Sequence, residues 1–119
     1  MPGRPVTVLI VDDEQYIVDL LAELLEEEGY AVRRAYDGLA ALESVTSNPP
    51  DLILSDVMMP KMDGLALVNR LRERGFSIPV VLMSAAVTPR THDTTFIPKP
   101  FDIDHMLGVI AGATAKANS

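Results

Sequence analysis

The sequence predicts an α/β fold built on an open parallel sheet, and three observations carry that prediction. Short, almost continuously apolar runs, VTVLIV at Val6–Val11 and VVLM at Val80–Met83, read as strands covered on both faces. Between such runs, Leu, Ile and Val recur at helical spacing. Two of the runs stop at acid, as VLIVDDE and LILSDVMMP. Alternating β and α implies parallel strands joined by right-handed crossovers, with helices on both faces. In such a sheet the carboxyl ends of the strands form the crevice where ligands bind.

The elements follow in order. Val6–Val11 is the first strand. Ile17, Leu20, Leu21, Leu24 and Leu25 mark the apolar stripe of the first helix, with Glu23 and the Glu26–Glu28 run outside it. Gly29 ends that helix as its C′ residue. Ala31–Tyr36 is a second strand, whose Arg33 and Arg34 point to a sheet edge. Asp37 is placed to N-cap a helix carrying Leu39, Leu42 and Val45, which Asn48-Pro49-Pro50 stops. Asp51–Ser55 is the third strand and delivers Asp56. Met58 to Gly64 is a loop broken by Pro60 and Gly64. The next helix presents Leu65, Val68 and Leu71 on one face and ends at Gly75. Pro79 leads into the fourth strand, Val80–Met83, which stops at Ser84. Thr95–Ile97 is a short fifth strand before Pro98-Lys99-Pro100. The last helix carries Ile103, Met106, Leu107 and Ile110, and the small, polar tail Ala113–Ser119 is expected to fray.

Bulk properties narrow the function classes. The 119 residues suffice for one domain with one core. Hydrophobic residues make up 48%, which excludes a disordered chain, and aromatics only 5% with no Trp, so the core is aliphatic. A formal charge of −7 makes nucleic acid a poor direct partner and favours a metal or a basic surface. Without cysteine there are no disulfides, thiolate metal sites or Cys nucleophiles. The opening MPGRP is not a signal peptide, and no stretch approaches the length of a membrane span. A soluble, cytoplasmic protein without membrane insertion is expected.

The chemistry gathers at three carboxylates. If the first and third strands are neighbours, Asp12, Asp13 and Asp56 meet at one end of the sheet. Like charges that close do not all ionise cheaply. A hard divalent cation with oxygen ligands relieves them, which points to a Mg²⁺-type site and to phosphate chemistry. Each residue alone has a plainer reading. Asp12 and Asp13 fit an N-cap and a first-turn acid, Asp56 a cap or turn, and Ser84 and Lys99 ordinary structural or surface positions. His92 and His105 are too few and scattered for a metal site. Met58, Met59 and Met62 read as loop packing.

Taken together, these residues resemble a response-regulator receiver domain over nearly the whole chain. The resemblance rests on Asp12-Asp13 after the first strand, Asp56 after the third and the loop MMPKMDG. Ser84 after the fourth strand and Lys99 in the segment KPF complete it. It implies a flavodoxin-like, doubly wound five-stranded parallel sheet in the order 2-1-3-4-5. It also implies that Asp56 is the phosphoacceptor, a nucleophile that forms an acyl phosphate. Asp13 would bind Mg²⁺ (or Mn²⁺) directly, with Asp56, with Asp12 through a water, and with the Met58 backbone carbonyl as a further oxygen. Lys99 would pair with a phosphoryl oxygen as a point charge, Ser84 would donate a hydroxyl hydrogen bond to another, and Lys99-Pro100 would be cis. Ser84 and Phe96 would form the switch. A sensor histidine kinase or histidine phosphotransfer protein would donate the phosphoryl group to a monomer or phosphorylation-dependent dimer. Beyond its own phosphotransfer and slow dephosphorylation, such a domain is not an enzyme. Met58 and Ala86 lie where receivers tune water access, and both are apolar.

One stretch departs from the pattern. Fourteen residues, AAVTPRTHDTTFIP, separate Ser84 from Lys99, roughly seven fewer than in a typical receiver, or about two helical turns. The stretch holds Pro89 and four threonines, Thr88, Thr91, Thr94 and Thr95, poor helix-interior residues. The family's fourth helix is therefore expected to be absent or reduced to a turn. Phe96 packs inward without the hydroxyl a Tyr would offer, so the expected switch is an order–disorder change in residues 85–95. The chain ends soon after its last helix, so no output domain is expected in it. The shortened region motivates an alternative, a pseudo-receiver scaffold that binds partners without a phosphorylation switch. A small aspartyl phosphohydrolase fits poorly, because adjacent Asp12-Asp13 lacks the usual nucleophile–acid spacing. An FMN-binding domain fits poorly too, because the turn DDEQ offers no phosphate cradle.

Overall fold

The structure, a computed structural model, describes residues 5–59, 61–84, 94–99 and 102–117. The elements run β1 (Thr7–Val11), α1 (Gln15–Glu27), β2 (Ala31–Ala35), α2 (Gly38–Ser47) and β3 (Leu52–Asp56). They continue with α3 (Gly64–Glu73), β4 (Val80–Ser84), β5 (Thr94–Pro98) and α4 (Ile103–Ala117). All strand pairs are parallel, in the order β2-β1-β3-β4-β5. The arginine-bearing β2 is an edge, as its composition implies.

Period-two alternation of the strands divides the core into two layers. Leu9, Val11, Ile53 and Leu82 face α2 and α3, meeting Leu42, Val45, Leu67 and Leu71. Val8, Ile10, Leu54 and Met83 face α1 and α4, meeting Val18, Leu21, Leu25, Met106 and Ile110. With both faces covered, the β1, β3 and β4 strands carry almost no polar residue before their last positions. The sheet order reverses between β1 and β3, where the crossovers leave in opposite directions and the crevice opens.

The ends of the helices have local causes. The Asp37 carboxylate accepts from Ala40 N at 2.7 Å, and that of Asp63 from Ala66 N at 2.8 Å, which caps α2 and α3. Gly29 and Gly75 terminate α1 and α3 with φ of +94° and +86°, open to glycine without strain. At the far end of α2 the Arg33 guanidinium donates to the carbonyls of Ser44 (2.9 Å) and Asn48 (2.6 Å) and to the Ser44 hydroxyl. A cation there adds to the Asn48 N–H that already bonds Ser44 O at 3.0 Å and suits the helix dipole.

The structure corrects several sequence expectations. The buried stripe of α1 is Val18, Leu21, Ala22 and Leu25, and Leu20 is exposed, because the stripe facing a sheet is one helical face and not every leucine near it. In α2, Leu39 is likewise exposed and Ala41 takes its place. Helix α4 continues to Ala117 instead of fraying from Ala113. The Thr114 hydroxyl donates back to the Ile110 carbonyl from a buried position there. The fifth strand, expected at Thr95–Ile97, runs from Thr94 to Pro98, so the end of the 85–95 stretch is strand, as suits β-branched residues on a pleated surface. The expectation of an absent or reduced fourth helix, the 85–93 part of the order–disorder change expected over residues 85–95, and the cis bond to Pro100 lie outside the described residues.

Candidate functional site

The strand ends carry the site, and the sheet ladder fixes each of them. Asp12 N donates to Ala35 O at 3.2 Å, Val57 N to Met83 O at 3.0 Å, and Lys99 N to Ser84 O at 2.8 Å. Each bond extends the parallel ladder one residue past its strand, so backbones at 12, 57 and 99 keep strand register. Asp56 closes β3 opposite Met83, and Ser84 closes β4 opposite Pro98. Side chains far apart in sequence therefore converge on one edge of the sheet.

One oxygen from each of Asp12, Asp13 and Asp56 lies within 4.8 Å of the others. Asp12 is fully buried, Asp56 is 6% exposed and Asp13 faces solvent. The Lys99 ammonium reaches across, 3.2 Å from Asp56 Oδ1 and 3.5 Å from Asp12 Oδ2. The plainer reading of Asp12 as a helix cap does not hold. Glu14 is the N-cap of α1, without a side-chain bond, and Asp12 Oδ1 accepts from Glu14 N at 2.9 Å.

Burial pushes the Asp12 carboxyl above its ordinary range, and the neighbouring Asp56 pushes the same way. The Glu14 N–H and the Lys99 charge only partly oppose them. For Lys99, burial alone would lower the pKa, but Asp12 and Asp56 together outweigh it and raise it. Lys99 is therefore a fixed positive charge. With three carboxylates ionised the count is −3 + 1 = −2, which a divalent cation would balance.

The donor set fits such a cation. Hard carboxylate oxygens suit Mg²⁺ or Mn²⁺. Ligand oxygens on opposite sides of Mg²⁺ stand about 4.2 Å apart. A mutual spacing within 4.8 Å is compatible with these three carboxylates holding one such ion, directly or through a water.

The remaining sequence-predicted residues fall around this centre. Ser84 is buried at the end of β4. Phe96, in register with Leu82, is half-buried against the α2–α3 layer. Met58 lies two residues beyond Asp56 and is 71% exposed, whereas Met59 and Met62 are buried. Loop packing is thus correct for Met59 and Met62 and wrong for Met58, which faces solvent beside the acids. Two glycines went unnoticed as site-builders. A Cβ on Gly64 would stand 2.5 Å from Asp56 O, and one on Gly38 would stand 2.6 Å from Met62 O. Asp-Gly at both helix starts, Asp37-Gly38 and Asp63-Gly64, is the sequence signal that could have flagged them.

A family model described as the response regulator receiver domain matches residues 8–111. The chain belongs to this family. Receiver domains are signalling modules of two-component systems that bind Mg²⁺ through a cluster of acidic residues, and Asp12, Asp13 and Asp56 form such a group here. Among curated relatives, this receiver is 36% identical over 110 residues to response regulator MprA of Mycobacterium sp. (strain KMS), covering 87% of this chain and 48% of that protein. The chain thus spans about half the length of the curated relatives it matches. Among solved structures it resembles the receiver domain of Francisella response regulator 1452, with a TM-score of 0.86 and 29% identity over 93% of this chain and 98% of that one. It also resembles the receiver domain of the hybrid histidine kinase CckA, with a TM-score of 0.80 and 34% identity over 91% and 98%. No described helix is long and apolar enough to cross a membrane.

Proposed function

We propose that this receiver takes a phosphoryl group from a sensor histidine kinase or a histidine phosphotransfer protein onto the carboxylate of Asp56. The observation that carries the reading is the convergence of Asp12, Asp13 and Asp56 within 4.8 Å, bridged by Lys99. An Asp56 oxygen forms the new P–O bond while the P–N bond to the donor imidazole breaks, leaving an acyl phosphate on the protein. Asp13 and Asp56, with the Met58 carbonyl and with Asp12 through a water, would hold Mg²⁺ (or Mn²⁺). When bound, the ion neutralises charge on the phosphoryl group and orients it for in-line attack. Lys99 gives up its contact with Asp56 Oδ1 to pair with a phosphoryl oxygen, and the Ser84 hydroxyl donates to another. Ser84 and Phe96 carry the resulting change into the α2–α3 layer.

The surroundings suit a protein donor. Tyr16, Tyr36, Met58 and Ile103 are exposed large side chains with apolar surface, and each lies just past the carboxyl end of a strand or at the start of a helix. An apolar rim about a charged centre is the surface a docking protein covers. In the same reading the single domain works in the cytoplasm as a monomer or phosphorylation-dependent dimer, without touching nucleic acid itself.

The test is to incubate the protein with Mg²⁺ and a small acyl-phosphate donor and to weigh it by mass spectrometry. One added phosphoryl group is expected, lost on Asp56→Asn and on chelation. Equal labelling of the variant would sink the assignment of Asp56. No labelling of the wild type would favour the pseudo-receiver.

A further inference from the structure

The loop between β3 and α3 is held by an absent side chain at a distant turn. Gly64 N donates to Val57 O at 2.9 Å, closing residues 57–64 into a loop. Near its start, Met58 is 71% exposed. The loop is secured instead by Met59 and Met62, both buried in the layer that holds Ala41, Leu42 and Val45 of α2. Met62 sits against the first residue of α2. A Cβ at Gly38 would stand 2.6 Å from Met62 O, 2.8 Å from its Cβ and 3.0 Å from its Cγ. Backbone and side chain of Met62 thus occupy the space any other residue at 38 would need.

Helix α2 is a firm support for that contact. Its start is tied by Asp37, whose carboxylate holds Ala40 N and whose carbonyl accepts from Ala41 N at 3.1 Å. Its end is clamped by Arg33 from β2. A shift of Met62 away from α2 would reach the 57–59 segment through Met59, which is buried in the same core layer, and through the Gly64 N to Val57 O bond two residues on.

We propose that Gly38 is a positioning residue for the divalent-cation site, letting the β3–α3 loop seat on α2 so that its 57–59 segment stands correctly beside the carboxylates. This rests on the proposed Mg²⁺ role of Asp12, Asp13, Asp56 and the Met58 carbonyl. Gly38 touches no ion and no substrate, and acts through Met62. Residues that orient a metal site from outside its ligand set typically change affinity by about 10–100-fold when altered.

The test is calorimetric titration of chelator-stripped protein with MgCl₂, at a temperature where every variant is folded by circular dichroism. Gly38→Ala is expected to raise the Mg²⁺ dissociation constant about tenfold. Ile110→Val, which loosens the opposite core layer, and Gly112→Ala, where an added Cβ meets nothing within 4 Å, are expected to leave it unchanged. A purely structural role for Gly38 would make Gly38→Ala behave like Ile110→Val, and that result would overturn the proposal. If Gly38→Ala does not fold, Met62→Ala loosens the same contact from the other side, and wild-type affinity there overturns it equally. Wild-type protein that binds no Mg²⁺ removes the underlying metal site itself, a failure distinct from an affinity that ignores position 38.

Discussion

Gly64→Ala isolates how tightly the phosphoacceptor strand is keyed to the helix that follows it. The added Cβ would stand 2.5 Å from Asp56 O, 2.9 Å from Leu82 Cδ2 and 3.1 Å from Val57 Cα. Two of those three atoms are backbone, so no side-chain rotation relieves the clash. The helix start and the end of β3 must part by about half an ångström, an overpacking strain of about 2–3 kcal/mol. Alanine in a helix returns about 0.5–1 kcal/mol relative to glycine. The net loss is about 1–2 kcal/mol, a fall in Tm of about 4–8 °C for a domain of this size. Urea unfolding followed by circular dichroism measures it, against a graded glycine series. Gly108→Ala and Gly112→Ala, with nothing within 4 Å of the new Cβ, should gain about 0.5–1 kcal/mol each. Gly29→Ala and Gly75→Ala also meet open space but lie at positive φ, and should lose about 1 kcal/mol to backbone strain alone. Gly64→Ala as stable as Gly112→Ala would refute the close approach.

Two further outcomes follow from the site and its loop. The folded Asp12 carboxyl is raised above its ordinary value of 3.8, so between that value and the folded pKa the native state holds a proton the unfolded chain has lost. Metal-free stability should therefore fall as pH rises through that window and stay low above it. Asp12→Asn should flatten the profile and raise stability at neutral pH, whereas a variant with unchanged pH dependence would show that Asp12 is not the group responsible. Lys61 adopts φ of +70°, a left-handed conformation that strains a residue with a Cβ. Lys61→Gly should stabilise the fold by about 0.5–1 kcal/mol in denaturant titration, and a loss of stability would show that the lysine side chain contributes there.

Much of the fold was legible because its signals are local. Continuous apolar runs marked β1, β3 and β4, since a strand buried on both faces has no room for polar alternation. Asp37 announced the start of α2 and Gly29 and Gly75 the ends of α1 and α3, because caps and C′ residues are set by the chemistry of one or two positions. Legibility failed where burial depends on the neighbour. Leu20 and Leu39 are as apolar as Leu21 and Leu42, yet face solvent. Local hydropathy does not say which leucine faces the sheet. The close approaches at Gly38 and Gly64 were invisible for the same reason, since each depends on what another segment brings near.

Residue identity by itself determined the chemistry available to this receiver. Carboxylates at 12, 13 and 56, a hydroxyl at 84 and an ammonium at 99 are present whatever the fold, and their positions just after apolar runs place them at strand ends. Only the tertiary structure made them one site. The β2-β1-β3-β4-β5 order sets β1 beside β3 and opens the crevice between them. Parallel register then carries Lys99 across 87 residues of sequence to Asp12. Burial of Asp12 and the Asp56 charge beside it keep its carboxyl costly to ionise. Charge, desolvation and distance act between segments, so they exist only once the sheet has brought those segments together.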